Sequence, residues 1–305
     1  MLTFALKRLG LAVLVTFTVS AMSFSLLHLS GDPATAIAGE NATAIDIAAV
    51  NRQYGFDRPL LEQYADWLWK ALHGDFGQSY YFKLPVVDLI SDRLSVTMLL
   101  GVCAISFALL TAVPLGVAAA VRPNSVIDRA ALFLSVSGQA LPSFWFGLIM
   151  IVVFSIKFPL LPPSGSETWR HFIMPTIVLG YYAMPAIMRL TRAGMLDVLS
   201  ADYIRTARAK GAGAGRVLFK HALRNAIVPV VSLAAVQMGF MLGGSIVVEA
   251  IFALHGAGFL AWESIGRHDL PTVQALILIF SCFYVLFTLL SDLANAWLDP
   301  RIRVG

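Results

Sequence analysis

The densest group of residues able to do chemistry runs from Arg189 to Arg224, where eight Lys and Arg side chains flank the alternation Gly211, Gly213, Gly215. Glycines beside Arg216 and Lys220 have the composition of a phosphate cradle. A phosphate loop, however, needs a preceding strand and the order Gly-x-x-x-x-Gly-Lys, and neither is present, so the glycines read as a flexible turn. His-Glu-x-x-His, paired Cys-x-x-Cys and Gly-x-Ser-x-Gly runs are absent too, which leaves zinc and acyl-transfer chemistry without residues. Cys103 and Cys282 have no second Cys or His at ligand spacing, and both are expected to be small buried apolar residues. Two acids remain. Glu249 and Asp292 adjoin long apolar runs, where a mid-bilayer charge costs roughly 2.5–3.5 kcal/mol. Either they line a path through the membrane, or they sit near span ends, Glu249 outward and Asp292 inward, where the cost falls.

The elements that position these residues follow from composition. Of 305 residues, 58% are hydrophobic and 13% charged, against roughly 25% charged in soluble domains. The stretches 94–121, 130–156, 172–188, 226–248 and 273–290 contain no Lys, Arg, Asp or Glu. Each approaches or exceeds the ~17–25 residues that cross a bilayer as a helix. A sixth, from Leu9 to about Leu29 behind Lys7 and Arg8, is longer than the usual ~7–15-residue signal core and lacks an obvious cleavage site, so it is expected to be the first span.

Six crossings place the N-terminus, 122–129, 189–225 and the C-terminus on one side. That side holds 14 of the 22 basic residues, Arg301 and Arg303 among them, whereas 31–93 carries nine acids against five bases. The positive-inside rule therefore predicts both termini in the cytoplasm. The net charge of +4 is explained by this topology, with no need of nucleic acid. The expected organisation is residues 1–30 as N-terminal segment and first span, 31–93 as an extracytoplasmic subdomain, 94–298 as a five-helix core, and 299–305 as a cytoplasmic tail. Within 31–93, Leu60, Leu61, Tyr64, Leu68 and Leu72 recur at helical spacing behind Asp57 and Pro59, a cap and first-turn pair, predicting an amphipathic helix against the bundle.

On the basic side, Asp202 to Lys210 before Gly211 reads as a short helix with a glycine stop. Thr206, Ala207 and Ala209 are small enough for a protein surface to approach, and the surrounding Arg and Lys suit an acidic neighbour. Contact with lipid headgroups alone is the other reading. Gly239 and Gly243 form a small-xxx-small pair for close helix contact, within the subunit or at a partner or path. Prolines 114, 142, 175, 185 and 229 are expected to bend their spans. His28 and Lys157 lie near outer span boundaries, where a lysine can snorkel.

The run Tyr203-Ile204-Arg205-Thr206-Ala207-Arg208-Ala209-Lys210-Gly211, then His221-Ala222-Leu223-Arg224-Asn225-Ala226 and Pro229, resembles the cytoplasmic coupling motif of the permeases of ATP-binding-cassette importers for dipeptides, oligopeptides, nickel and glutathione. Three further stretches extend the resemblance: Gly31-Asp32-Pro33; Tyr54-Gly55-Phe56-Asp57-Arg58-Pro59 with Gly74-Asp75-Phe76-Gly77-Gln78-Ser79; and Gly243-Gly244-Ser245-Ile246-Val247-Val248-Glu249 leading to Phe252 and Gly256-Ala257-Gly258. The wider superfamily usually has Glu near 205 and Pro near 224, where this chain has Arg205 and Arg224, as the peptide branch commonly does. His255-Gly256 stands where that branch usually has Pro-Gly.

The resemblance implies an all-α, six-span type I importer permease in the bacterial inner membrane, and no enzyme. It implies a second, homologous but different permease chain, two ATPase subunits holding ATP and Mg, and an extracytoplasmic solute-binding protein, with no cofactor on this chain. It makes Tyr203, Arg205, Thr206, Ala207, Ala209, Lys210, Gly211 and Arg224 the ATPase-coupling residues. Gly243, Gly244, Ser245 and Glu249 become candidates for the translocation path or outer gate. A self-sufficient secondary transporter or channel is the alternative, disfavoured by the charge-free spans.

Overall fold

The computed structural model describes residues 2–29, 33–39 and 42–298. Arg301, Arg303, Gly31 and Asp32 lie outside them, as does the side chain of His28. The described chain is built of helices: α1 (Leu2–Leu29), α2 (Pro33–Ala38), α3 (Ala44–Tyr54), α4 (Leu60–Leu72), α5 (Val86–Val121), α6 (Val126–Ala140), α7 (Ser143–Ile151), α8 (Ile173–Ser200), α9 (Asp202–Ala209), α10 (Arg224–Ala226), α11 (Val228–Phe252), α12 (Ala257–Gly266) and α13 (Leu270–Leu298). π-helical turns follow α7 at Val152–Lys157 and precede α10 at Arg216–Leu223. In lipid every backbone polar group needs an internal partner, and a continuous helix supplies it.

Among the described residues, α1, α5, α8, α11 and α13 are long and apolar enough to cross a membrane, and α6 with α7 meets the same measure as a pair bent by 101°. The expected single helix over 130–156 is thus corrected to two helices meeting at a sharp bend. The cause is Pro142. It forces Leu141 into extended backbone (ψ 126°) and restarts the helix at Ser143. Pro114 and Pro185, by contrast, lie inside continuous helices, while Pro175 and Pro229 fall in first turns, where a missing N–H costs nothing.

The centre of the bundle is the pair α5 and α8. Leu100, Ala104, Ala108, Ala112, Gly116 and Ala120 repeat every fourth residue along α5, and all are buried. A Cβ on Gly116 would lie 2.8 Å from the Met188 carbonyl oxygen, and one on Gly180 would lie 2.6 Å from that of Ala104. The two backbones therefore touch. α8 does not stop near Met188 as expected but runs on to Ser200, so much of the 189–225 segment is helix rather than loop. At the same end of the bundle, Arg192 Nε and an Nη each donate to the buried Asp128 carboxylate at 2.7 Å, tying α8 to α6.

The opposite end carries residues 33–85. Thr43 and Asp46 form a reciprocal cap on α3, and the Thr43 hydroxyl and N–H hold the Asp46 carboxyl below its usual range. The helix predicted at 60–72 is present, but Pro59 occupies the cap position without a side-chain bond and Asp57 does not cap. Of the five residues expected on its packed face, Leu60, Leu61 and Leu72 are exposed, whereas Tyr64 and Leu68 are half-buried. Tyr64 meets α1, its hydroxyl 2.7 Å from Ser20 Oγ and its ring edge-on to Phe17 and Phe24. The aromatic side chains bring more contact area than the leucines, so they take the interface.

The link from this segment to the core is the fully buried Asp269. Its carboxylate accepts from Ser79 Oγ (2.6 Å), the Tyr80 N–H (2.8 Å) and Thr272 Oγ1 (2.7 Å). Burial, reinforced by Tyr54 and Asp269, pushes the Tyr80 phenol upward. Cys103 is half-buried, but Cys282 is exposed on the outer surface of α13, correcting its expected burial. Both thiols are free.

Replacing Asp269 by Ala leaves Ser79, Thr272 and the Tyr80 N–H without an acceptor, at about 1–3 kcal/mol each. Hydrogen exchange of the purified chain should then show faster exchange at 77–86, while the α5 and α8 cores stay protected.

Candidate functional site

At the basic end, Ala201 takes an extended backbone (ψ 149°), ending α8 and turning the chain into α9. Gly211, at φ +80°, closes α9 as the sequence predicts, in a conformation that side chains rarely adopt. The helix is held by one apolar residue. Ile204 is fully buried among Val117 and Ala120 of α5, Met195 of α8, and Val217, Ala222 and Ala226. Its burial contributes roughly 1.5–3 kcal/mol. A second tie is polar: Asn225 Nδ2 donates to the Tyr203 hydroxyl at 2.8 Å, joining α9 to α10.

With Ile204 inward, the opposite face of α9 is open. Tyr203, Arg205, Thr206, Ala209, Lys210 and Gly211 are exposed, as is Arg224 on the adjoining α10, whereas Ala207 is half-buried and its carbonyl accepts the Ala212 N–H at 3.1 Å. Arg205 pairs with Asp202 one turn back. The outcome is a small, cationic, solvent-facing helix rigidly seated on the ends of α5 and α8.

A cavity of about 550 Å³ opens beside the bend between α6 and α7. Gln139, Ser143, Tyr182, Gln237, Phe240, Gly243 and Gly244 line it, and no charged side chain does. The Gly239 and Gly243 pair divides: a Cβ on Gly239 would lie 2.7 Å from the Tyr284 ring, while nothing lies within 4 Å of one on Gly243. Gly239 therefore packs α11 on α13, and Gly243 leaves the cavity open.

Ser245 and Glu249 turn away from that cavity into the bundle, both buried. The Glu249 carboxylate accepts from Thr97 Oγ1 of α5 at 2.8 Å and from the Phe259 N–H of α12 at 2.9 Å, while Thr97 Oγ1 accepts the Ala257 N–H at 2.8 Å. The carboxylate thus caps a helix to which it does not belong, meeting N–H groups that lack intrahelical acceptors. Gly256 and Gly258 are required by it: a Cβ on either would press on the Glu249 carboxylate. Asp292, the other candidate acid, pairs with Arg8 of α1 at 3.0 Å.

Sequence reasoning missed Thr97, Asp128, Arg192, Ile204 and Asp269. Ile204 carried a signal as the lone large aliphatic residue in the charged run 202–210. The rest pair across distances that local spacing does not encode.

Two family descriptions match. "Binding-protein-dependent transport system inner membrane component" covers residues 112–304, and its N-terminal counterpart, "Binding-prot-dependent transport system membrane comp, N-term", covers 1–101. The glutathione transport system permease protein GsiC of Escherichia coli (strain K12) is 41% identical over 304 residues, covering 99% of each chain. The protein of the same name from Shigella flexneri serotype 5b is also 41% identical over the same length. Among solved structures, the inward-facing MetNI methionine ABC transporter aligns over 69% of this chain and 96% of its own, at 19% identity and TM-score 0.58. An amino acid ABC transporter solved with histidines aligns over 70% and 94%, at 16% identity and TM-score 0.50.

Glu249→Ala strips the acceptor from the Phe259 N–H and from the Thr97 hydroxyl, each costing about 1–3 kcal/mol when left buried and unpaired. Thermal unfolding of the purified chain in detergent should show a midpoint several degrees lower. An unchanged midpoint would remove the carboxylate from the stabilising network.

Proposed function

This chain belongs to the family of inner-membrane components of binding-protein-dependent transport systems, and from that membership we propose how its residues divide the work of import. It is a multi-pass permease subunit of an ATP-driven importer, not itself the ATPase, and it works with ATPase and binding-protein partners. The single observation that carries the finer reading is the exposed cationic face of α9, rigidly seated through Ile204 on α5 and α8.

In this reading Tyr203, Arg205, Thr206, Ala209, Lys210, Gly211 and Arg224 seat α9 against an ATPase subunit, with Ala207 supporting that face from its inner edge. Two ATPases hold ATP and Mg, and their closure moves α9 and with it the two helices that share its hydrophobic plug. A second, different permease chain completes the path, half of which is the uncharged cavity at the α6–α7 bend. Both termini lie in the cytoplasm, which the clustering of Arg122, Arg129 and the 189–224 bases at one end supports. Residues 33–85 then face outward, toward the binding protein.

The solute is a peptide or a peptide-like molecule such as glutathione, supported by the full-length relatives of that name. Gln139, Ser143, Tyr182 and Gln237 offer hydrogen bonds without selecting charge. Selection among solutes is therefore left to the binding protein. The charge-free cavity also argues against an ion-coupled secondary transporter, which needs titratable groups along its path.

Mild-detergent pull-down of the tagged chain from its native membrane should recover a second permease and ATPase subunits. Ala209→Trp, on the exposed face, should cut ATPase recovery by about ten-fold, roughly 1.4 kcal/mol of docking energy, and leave the permease pair intact. Full ATPase recovery with this variant would remove α9 as the docking element. A lone chain giving ion-gradient-driven flux in proteoliposomes would replace the importer reading by the secondary transporter.

A further inference from the structure

Two sequence motifs have no part in the path or in coupling, and they meet around one cavity. It encloses about 360 Å³ between α4, the 73–85 turn and the start of α13. The 54–59 motif contributes Tyr54, Phe56 and Arg58 to its wall, and the 74–79 motif contributes Asp75, Phe76 and Gln78. The volume falls within the ~300–1,000 Å³ of small-molecule pockets. None of its lining residues belongs to the cavity at the α6–α7 bend.

The chemistry of the lining selects a ligand. Flat surface comes from Tyr54, stacked on Phe56 at 5.8 Å and met edge-on by Tyr80 at 6.4 Å, and from Trp67. Of the charged groups, Arg58 is committed to Asp66 at 2.6 Å, and Asp75 Oδ1 accepts the Gly77 N–H at 2.9 Å. Lys70 and Lys83 have no ion-pair partner among the described residues. Lys83 is moreover held in the left-handed region at φ 57°, within a turn closed by the Ser79 N–H to Leu84 O and the Val86 N–H to Gly77 O. Gln274 also lines the cavity. It is 3% exposed, and its Nε2 has no hydrogen-bond partner among the described residues, a cost that an incoming acceptor would offset.

We propose that this cavity is a ligand site for a small carboxylate bearing a flat or aromatic body, with Lys70 and Lys83 at the carboxylate and Gln274 supplying a further donor. The site rests on the cavity and its side chains, and stands or falls independently of the importer reading. Phe24 of α1 also borders the space, so an anionic lipid headgroup with its apolar chain shares with such a solute an anion joined to an apolar body.

The full chain in phosphatidylcholine nanodiscs, probed by saturation-transfer-difference NMR with indole-3-acetate, tests this. A saturable signal is expected, weakened about ten-fold in a Lys70→Gln/Lys83→Gln variant and with the neutral analogue indole-3-ethanol, consistent with losing charge-assisted hydrogen bonds. Gln274→Leu should weaken it as well, with the unfolding midpoint of no variant lowered. Loss of the wild-type signal in nanodiscs containing phosphatidylglycerol would support the site and identify lipid as its occupant; persistence would support it with a free carboxylate. No saturable signal, or equal signals for the acid, the alcohol and the lysine variant, would overturn it.

Discussion

The backbone contact between α5 and α8 is the constraint on which the rest of the molecule depends. In a bilayer, apolar surface gains nothing by leaving lipid for protein, so helices associate through close packing and interhelical hydrogen bonds. The small residues of α5, ending at Gly116 and Ala120, and Gly180 on α8 let the two backbones meet without intervening side chains. This pair spans the bundle from end to end. The bent α6–α7 pair, α11 and α9 all pack against one or both members, and α9 does so at the end where the basic residues gather.

Buried carboxylates fix the corners around that spine. Asp128 joins α6 to α8 through Arg192, Glu249 joins α11 to α5 through Thr97 and to α12 through the Phe259 N–H, and Asp269 joins the 73–85 turn to α13. Removing one partner from such a group leaves the other buried and unpaired, which makes each corner stiff. Ile204 seats α9 on α5 and α8 at the end where Arg192 and Asp128 pair.

The spans, the basic end and the short helix ending at Gly211 were legible because each rests on local composition: absence of charge, excess of Lys and Arg, and a glycine stop. The place of the α6–α7 break was legible from Pro142, but its angle of 101° depends on how the two halves pack and is not a local property. The repeat from Leu100 to Ala120 is present in the sequence at four-residue spacing, yet the helix is apolar on every side and gives no contrast to reveal its inner face. The carboxylate partners were illegible for a different reason. Thr97 lies 152 residues from Glu249, and Ser79 lies 190 from Asp269, separations that a single sequence does not relate. The face read for α4 holds at Tyr64, which packs on α1, and fails at Leu60, Leu61 and Leu72, because the interface there is aromatic.

The central claim is that α9 transmits motion through the Ile204 plug. The most direct measurement compares the assembled complex, reconstituted in liposomes with its binding protein, carrying Ile204 or Ile204→Ala, for ATP hydrolysis and solute uptake together. Truncation of a buried isoleucine loosens its seat by about 2–5 kcal/mol. The account predicts continued hydrolysis with a steep loss of uptake per ATP. Hydrolysis and uptake unchanged, or reduced in equal proportion, would contradict it.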